Sequence, residues 1–145
     1  MTKRVSLFFS AALLFACSAS SKEVLSLPSA PSGSVALGST FSLAPNESAL
    51  INQSAIALTF VKVSSDSRCP TDMAIQCVWA GSVQLGLSVK TTDGRQDVVI
   101  ETQPLKDMIT VDRYVIQLVA VAPGKRTTDS IPMANYRATF RVTKR

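Results

Sequence analysis

From Phe41 to the C-terminus, apolar residues recur mostly at every second position. In "SVQLGLSVK", Val83, Leu85, Leu87 and Val89 alternate with Gln84, Gly86, Ser88 and Lys90. A period of two sends alternate side chains to opposite faces of a half-buried strand. "SAIALTFVKV" repeats it, with Ile56, Leu58 and Phe60 on one face and Ala57, Thr59, Val61 and Val63 on the other. "NYRATFRVTK" sets Tyr136, Ala138, Phe140 and Val142 against Arg137, Thr139, Arg141 and Thr143. Asp93-Gly94 suits a tight hairpin turn, after which the return strand directs Val98 and Ile100 inward. Val111 to Val121 is more continuously apolar, as expected of one central strand covered on both faces, and Pro123-Gly124 ends it. Further short strands fall around Thr40–Leu43 and Ala49–Ile51. No helical stripe interrupts the series. About seven antiparallel strands separated by turn residues predict an all-β fold, a single β-sandwich over 40–145, immunoglobulin-like or related.

The N-terminal pattern is different. "MTKR" is basic and runs into the apolar "VSLFFSAALLFA", which at twelve residues is too short to span a bilayer. A basic start, a short apolar middle and a small terminal residue describe a secretory signal peptide over 1–16. Leu14-Phe15-Ala16-Cys17 resembles the lipobox of bacterial lipoproteins. That resemblance implies cleavage before Cys17, diacylation of its thiol and attachment to a membrane through lipid. Ser18 follows the cysteine; by analogy with lipoprotein sorting, this points to the periplasmic face of the outer membrane if the source has two membranes. Residues 17–39 are rich in Ser, Ala, Pro and Gly and read as a flexible tether, within which Val24, Leu25 and Leu27 offer a short docking strand.

Charge narrows the partners. Over 145 residues the formal net charge is +5, falling to +3 once Lys3 and Arg4 leave with the signal peptide. That balance is too mild to argue for nucleic acid. Arg137 and Arg141 share an outward strand face, with Lys144 and Arg145 beyond them, and Lys125 and Arg126 occupy a turn. Such residues suit lipid headgroups, acidic glycans or an acidic partner, although outward charges also protect edge strands from pairing. Histidine is absent, which removes the commonest general base and the commonest transition-metal ligand.

The residues that invite chemistry gather in "SDSRCPTDMAIQCVWAG", Ser65 to Gly81. With Cys17 assigned to lipid, Cys69 and Cys77 remain as an even pair in an oxidising compartment and read as a disulfide, two free thiols being the alternative. Redox catalysis fits poorly, because seven residues intervene and Pro70 follows the first cysteine. Two cysteines without histidine fall short of a zinc site, and no base stands ready to activate a thiol. Asp66, Ser67 and Asp72 invite calcium, but the spacing is not that of an EF-hand, and a turn cap or a pairing of Asp66 with Arg68 accounts for them. Trp79 reads either as a plug at one end of the sandwich or as an exposed ligand platform. No catalytic residue, metal or cofactor is assigned.

"DSRCPTDMAIQCVWAG" also resembles a D-S-R-C-P…C-x-W-x-G signature of small bacterial lipoproteins and exported proteins of unknown function. The likeness covers Asp66 to Gly81 and extends loosely over Phe41 to Val142. It implies an envelope location and carries no activity. The expectation is therefore an envelope lipoprotein without catalysis, a binding or structural module with a protein or glycan partner, its candidate binding loop carrying Asp66, Arg68, Asp72 and Trp79. The competing expectation is an anchored inhibitor of a hydrolase such as lysozyme or a protease. It would act through the Ser64–Gln76 loop or the Pro123–Ser130 turn.

Overall fold

In the computed structural model the described residues are 34–53, 55–72, 77–126 and 130–145. The signal segment, Cys17 and the Val24–Leu27 stretch lie outside them. The described residues form eight strands: β1 (Thr40–Leu43), β2 (Ser48–Ile51), β3 (Ile56–Asp66), β4 (Val83–Thr91), β5 (Gly94–Glu101), β6 (Met108–Val111), β7 (Tyr114–Ala122) and β8 (Arg137–Lys144). A single 3-10 turn at Met133–Asn135 is the one helical element among them.

The strands make two four-stranded antiparallel sheets, ordered β2-β3-β4-β5 and β1-β8-β7-β6. This is the expected β-sandwich. Within each sheet, sequence neighbours pair as hairpins, a meander rather than the Greek-key crossing of immunoglobulin domains; only β1 pairs with a strand far along the chain, β8. The inward faces merge into one buried cluster in which Ile56, Leu58, Phe60, Val83, Leu85 and Leu87 of the first sheet meet Leu43, Ile116, Ala138, Phe140 and Val142 of the second. Phe60 and Phe140 meet edge to face, with ring centroids 6.4 Å apart. Burying such side chains contributes about 1.5–3 kcal/mol each.

Three expectations are corrected by local backbone geometry. The run Val111 to Val121 is two strands rather than one: Val111 and Tyr114 pair across a two-residue turn in which Asp112 takes φ 52°. Asp is one of the few non-glycine residues that tolerate that region. The resulting β7 buries one face and leaves Val119 exposed on the other. In β3 the register shifts between Phe60 and Lys62, so Val61 is the extra residue of a bulge and Val63 packs against the core rather than facing outward. At the β4–β5 hairpin, Thr92 and Asp93 form the tip, and Gly94 opens the return strand with φ 140°.

The meander gives the sandwich two unlike ends. The tight β2–β3, β4–β5 and β6–β7 turns lie at one, called here the turn end. The chain joins the domain there too: Val35 makes a parallel bridge to Ile51, and the Gly38 N–H donates to the Val142 carbonyl at 2.7 Å. At the opposite, loop end lie the connection 102–107 and the described residues of the connections 67–82 and 123–136, together with the Ala44–Glu47 turn.

Candidate functional site

The loop end is organised around Asp66, the last residue of β3. Its carboxylate accepts hydrogen bonds from Arg68 Nη2 at 2.7 Å, Arg68 Nε at 3.0 Å and the Arg68 backbone N–H at 3.2 Å. A fourth comes from the Tyr136 hydroxyl at 2.9 Å. Arg68 Nη1 donates in turn to the Val121 carbonyl at 3.0 Å. Both charged side chains are largely withdrawn from water, 10% exposed for Asp66 and 16% for Arg68. Burial alone raises a carboxyl pKa. The hydrogen bonds from Arg68 and Tyr136 and the guanidinium charge outweigh it and hold Asp66 below its usual value. The Asp66 carboxylate raises Arg68, while burial followed by Asp66 raises the Tyr136 phenol.

The second tie is covalent. Cys69 and Cys77 are joined by a disulfide with Cα atoms 6.0 Å apart. Closing a loop of this size stabilises the fold by about 2.5 kcal/mol on chain-entropy grounds. Below it the β3–β4 ladder continues irregularly, through Ser67 N–H to Ser82 carbonyl at 2.8 Å and Cys69 N–H to Ala80 carbonyl at 3.0 Å. Gly81 makes this approach feasible: it takes φ 67°, and a Cβ there would overlap the Ser67 carbonyl oxygen. A third tie reaches the β7–β8 connection. Lys125 Nζ donates to the Asp66 carbonyl at 3.0 Å, and the Thr71 N–H donates to the Lys125 carbonyl at 2.9 Å.

The candidate residues therefore separate into two groups. Asp66 and Arg68 face inward and are spent on each other. Asp72 and Trp79 are exposed on the loop. The reading of Trp79 as a plug for the sandwich is overturned: its side chain is 83% exposed and that of Val78 is 90% exposed. The end is closed by Tyr136 instead, buried and fixed by its bond to Asp66. Trp79 lies along a groove of about 570 Å³ that it shares with Ser67, Gly81, Thr102, Gln103 and Pro104. Leu105, next to Pro104, is 91% exposed.

Sequence reasoning passed over Tyr136, Lys125 and the Val121 carbonyl, because nothing local marks a phenol or a carbonyl some 50 to 70 residues away as a partner of Asp66. Gly81 did carry a signal, as the last position of the C-x-W-x-G pattern. Among the described residues no buried side-chain polar atom lacks a partner, and no three of His, Cys, Asp and Glu group closely enough to hold a metal. What the arrangement offers chemically is a cross-tied loop carrying an apolar tip in solvent. Comparisons with protein-family models, with curated proteins and with solved structures find no match.

Proposed function

We propose that the chain is a lipid-anchored protein of the bacterial envelope that works as a non-catalytic binding module, with the clasped loop end as its contact surface. The observation that carries this reading is the exposure of Val78 and Trp79 on a loop tied by a disulfide, an ion pair and a lysine. A large exposed aromatic group on a loop whose backbone is tied down gives up less freedom on docking, and such groups dominate the energetics of interfaces. The anchor is supported by the chain's three cysteines: two are bonded to each other, which leaves Cys17, the cysteine of the lipobox-like sequence.

Two measurements test the two halves. Fed a labelled fatty acid, an exporting bacterium should incorporate label into the wild-type chain and none into Cys17→Ala; an unacylated N-terminal peptide in the wild type would sink the anchor. A photo-crosslinking amino acid at position 79 should capture discrete partners in intact envelopes. Capture no different from that at exposed Val99 would remove the loop end as the contact surface. A captured hydrolase whose turnover falls on adding the chain would select the narrower reading, an anchored inhibitor.

A further inference from the structure

We propose that the turn end of the sandwich is a seat for anionic phospholipid headgroups, which holds the domain upright on the membrane with the Trp79 loop facing away. The upright orientation rests on the lipid anchor proposed above; the headgroup seat does not.

The two ends carry their charge differently. At the loop end four cations are tied down, Arg68 to Asp66, Lys106 to Glu101, Lys125 to the Asp66 carbonyl, and Arg137 to the Ala134 and Tyr136 carbonyls, while Arg126 stands exposed. At the turn end and on the strands leading to it stand Lys90, Arg95, Arg113, Arg141, Lys144 and Arg145, all exposed. Of these only Arg95 has an ion pair among the described residues, a solvent-exposed one with Asp97. The other carboxylates there are Asp93 and Asp112, and Asp112 is engaged by Thr91 and Gln96. Three of these cations meet where β7 begins and β8 ends: the Arg145 N–H donates to the Arg113 carbonyl at 2.8 Å, and Lys144 pairs in register with Tyr114. Lys90 lies directly across from Arg95 in the β4–β5 ladder. Like charges opposite one another destabilise a hairpin, a cost that an anion relieves.

The chain's entry point is compatible with this seat. The described chain joins the domain at this same end, through Val35 and Gly38. Sixteen residues separate Cys17 from Ser34. At about 3.3–3.6 Å per extended residue they are long enough to let any face of the domain reach the bilayer, so the tether alone does not choose an orientation. Charge does. A basic residue close to an anionic leaflet favours the bound state about fivefold, and lipid chains combined with a basic patch form a two-part membrane signal. With the turn end seated, the eleven residues of β3 lift the loop end about 35 Å off the surface.

The chain's single tryptophan is the probe. The full processed chain is reconstituted with vesicles of phosphatidylcholine alone or mixed with phosphatidylglycerol, each containing a headgroup-labelled dansyl lipid as energy acceptor. In the anionic vesicles, transfer from Trp79 should be low. It should rise severalfold in neutral vesicles, in high salt, or in the variant Arg113→Glu/Lys144→Glu/Arg145→Glu with an unchanged circular dichroism spectrum. Arg126→Glu at the loop end should change nothing. For chain that floats with both vesicle types, equal transfer in the two would overturn the seat and leave an acidic glycan or protein as the partner of the basic end. Flotation separates the two claims: chain that floats only with anionic vesicles supports the seat without the anchor. Chain that floats with neither overturns both.

Discussion

Replacing Asp66 with alanine should lower the free energy of unfolding by about 3 kcal/mol, the lower end of the range for stranding one member of a buried ion pair. The loss is not that of a contact alone. Arg68 would keep its charge in a setting only 16% exposed, its bond to the Val121 carbonyl retained but its carboxylate partner gone. Tyr136 would lose the acceptor for its hydroxyl. Urea unfolding followed by circular dichroism is the suitable measurement, because exposed Trp79 changes little on unfolding. The double variant Asp66→Leu/Arg68→Met should recover a large part of the loss, since it leaves no uncompensated charge. An equal loss in both would mean that the ion pair is not what stabilises the loop end.

The same carboxylate sets an acid dependence. Its pKa in the folded protein lies below the ordinary 3.8, so in the window between the two values the unfolded chain binds the proton more readily. The stabilisation from Asp66 is therefore fully present above about pH 4 to 5 and is lost as pH falls through the folded-state value. Wild-type stability should drop through this window more steeply than that of Asp66→Ala.

Gly81→Ala is the second large effect expected, about 2–3 kcal/mol. Two terms combine: about 1–2 kcal/mol for a side chain at positive φ, and about 1 kcal/mol for disturbing the Ser67–Ser82 rungs as the Ser67 carbonyl is pushed aside. Gly38 provides the comparison. It takes φ 83°, but a Cβ there meets nothing within 4 Å. Gly38→Ala should thus cost only the conformational term. Equal urea midpoints for the two variants would show that the close approach at Gly81 contributes nothing.

These residues also mark where the sequence is legible. Alternation locates β4, the second half of β5 and β8 well, because there the inward residues are buried at every second position without a register shift. It misleads in β3, where a bulge at Val61 shifts the period by one and returns Val63 to the core, and in β7 a bulge at Val119 does the same for Val121 within a run that reads as continuously apolar. A bulge leaves no compositional trace when the extra residue is itself valine. The Asp112-Arg113 turn is hidden for a related reason, since its apolar flanks Val111 and Tyr114 pair across it and read as one run. At the candidate site, the Asp66–Arg68 pairing and the disulfide are legible because both are local. The exposure of Trp79 is not, since an indole beside a disulfide is chemically at home in a core or at an interface. Only the placement of Tyr136 decides between them.

The hairpin order of the strands bears on how the chain reaches this structure. Among the described residues, five of the six strand pairings join neighbours in sequence, and only β1 with β8 spans the chain. Loop-closure entropy grows with the length of free chain between contacts, so local pairings form at least cost and the distant one benefits from waiting. Once the hairpins stand, the effective distance between Phe41 and Phe140 is that between two edges of a nearly finished sandwich. Both sheets can then be largely in place before β1 adds its single row of hydrogen bonds, making it the last stitch in the seam.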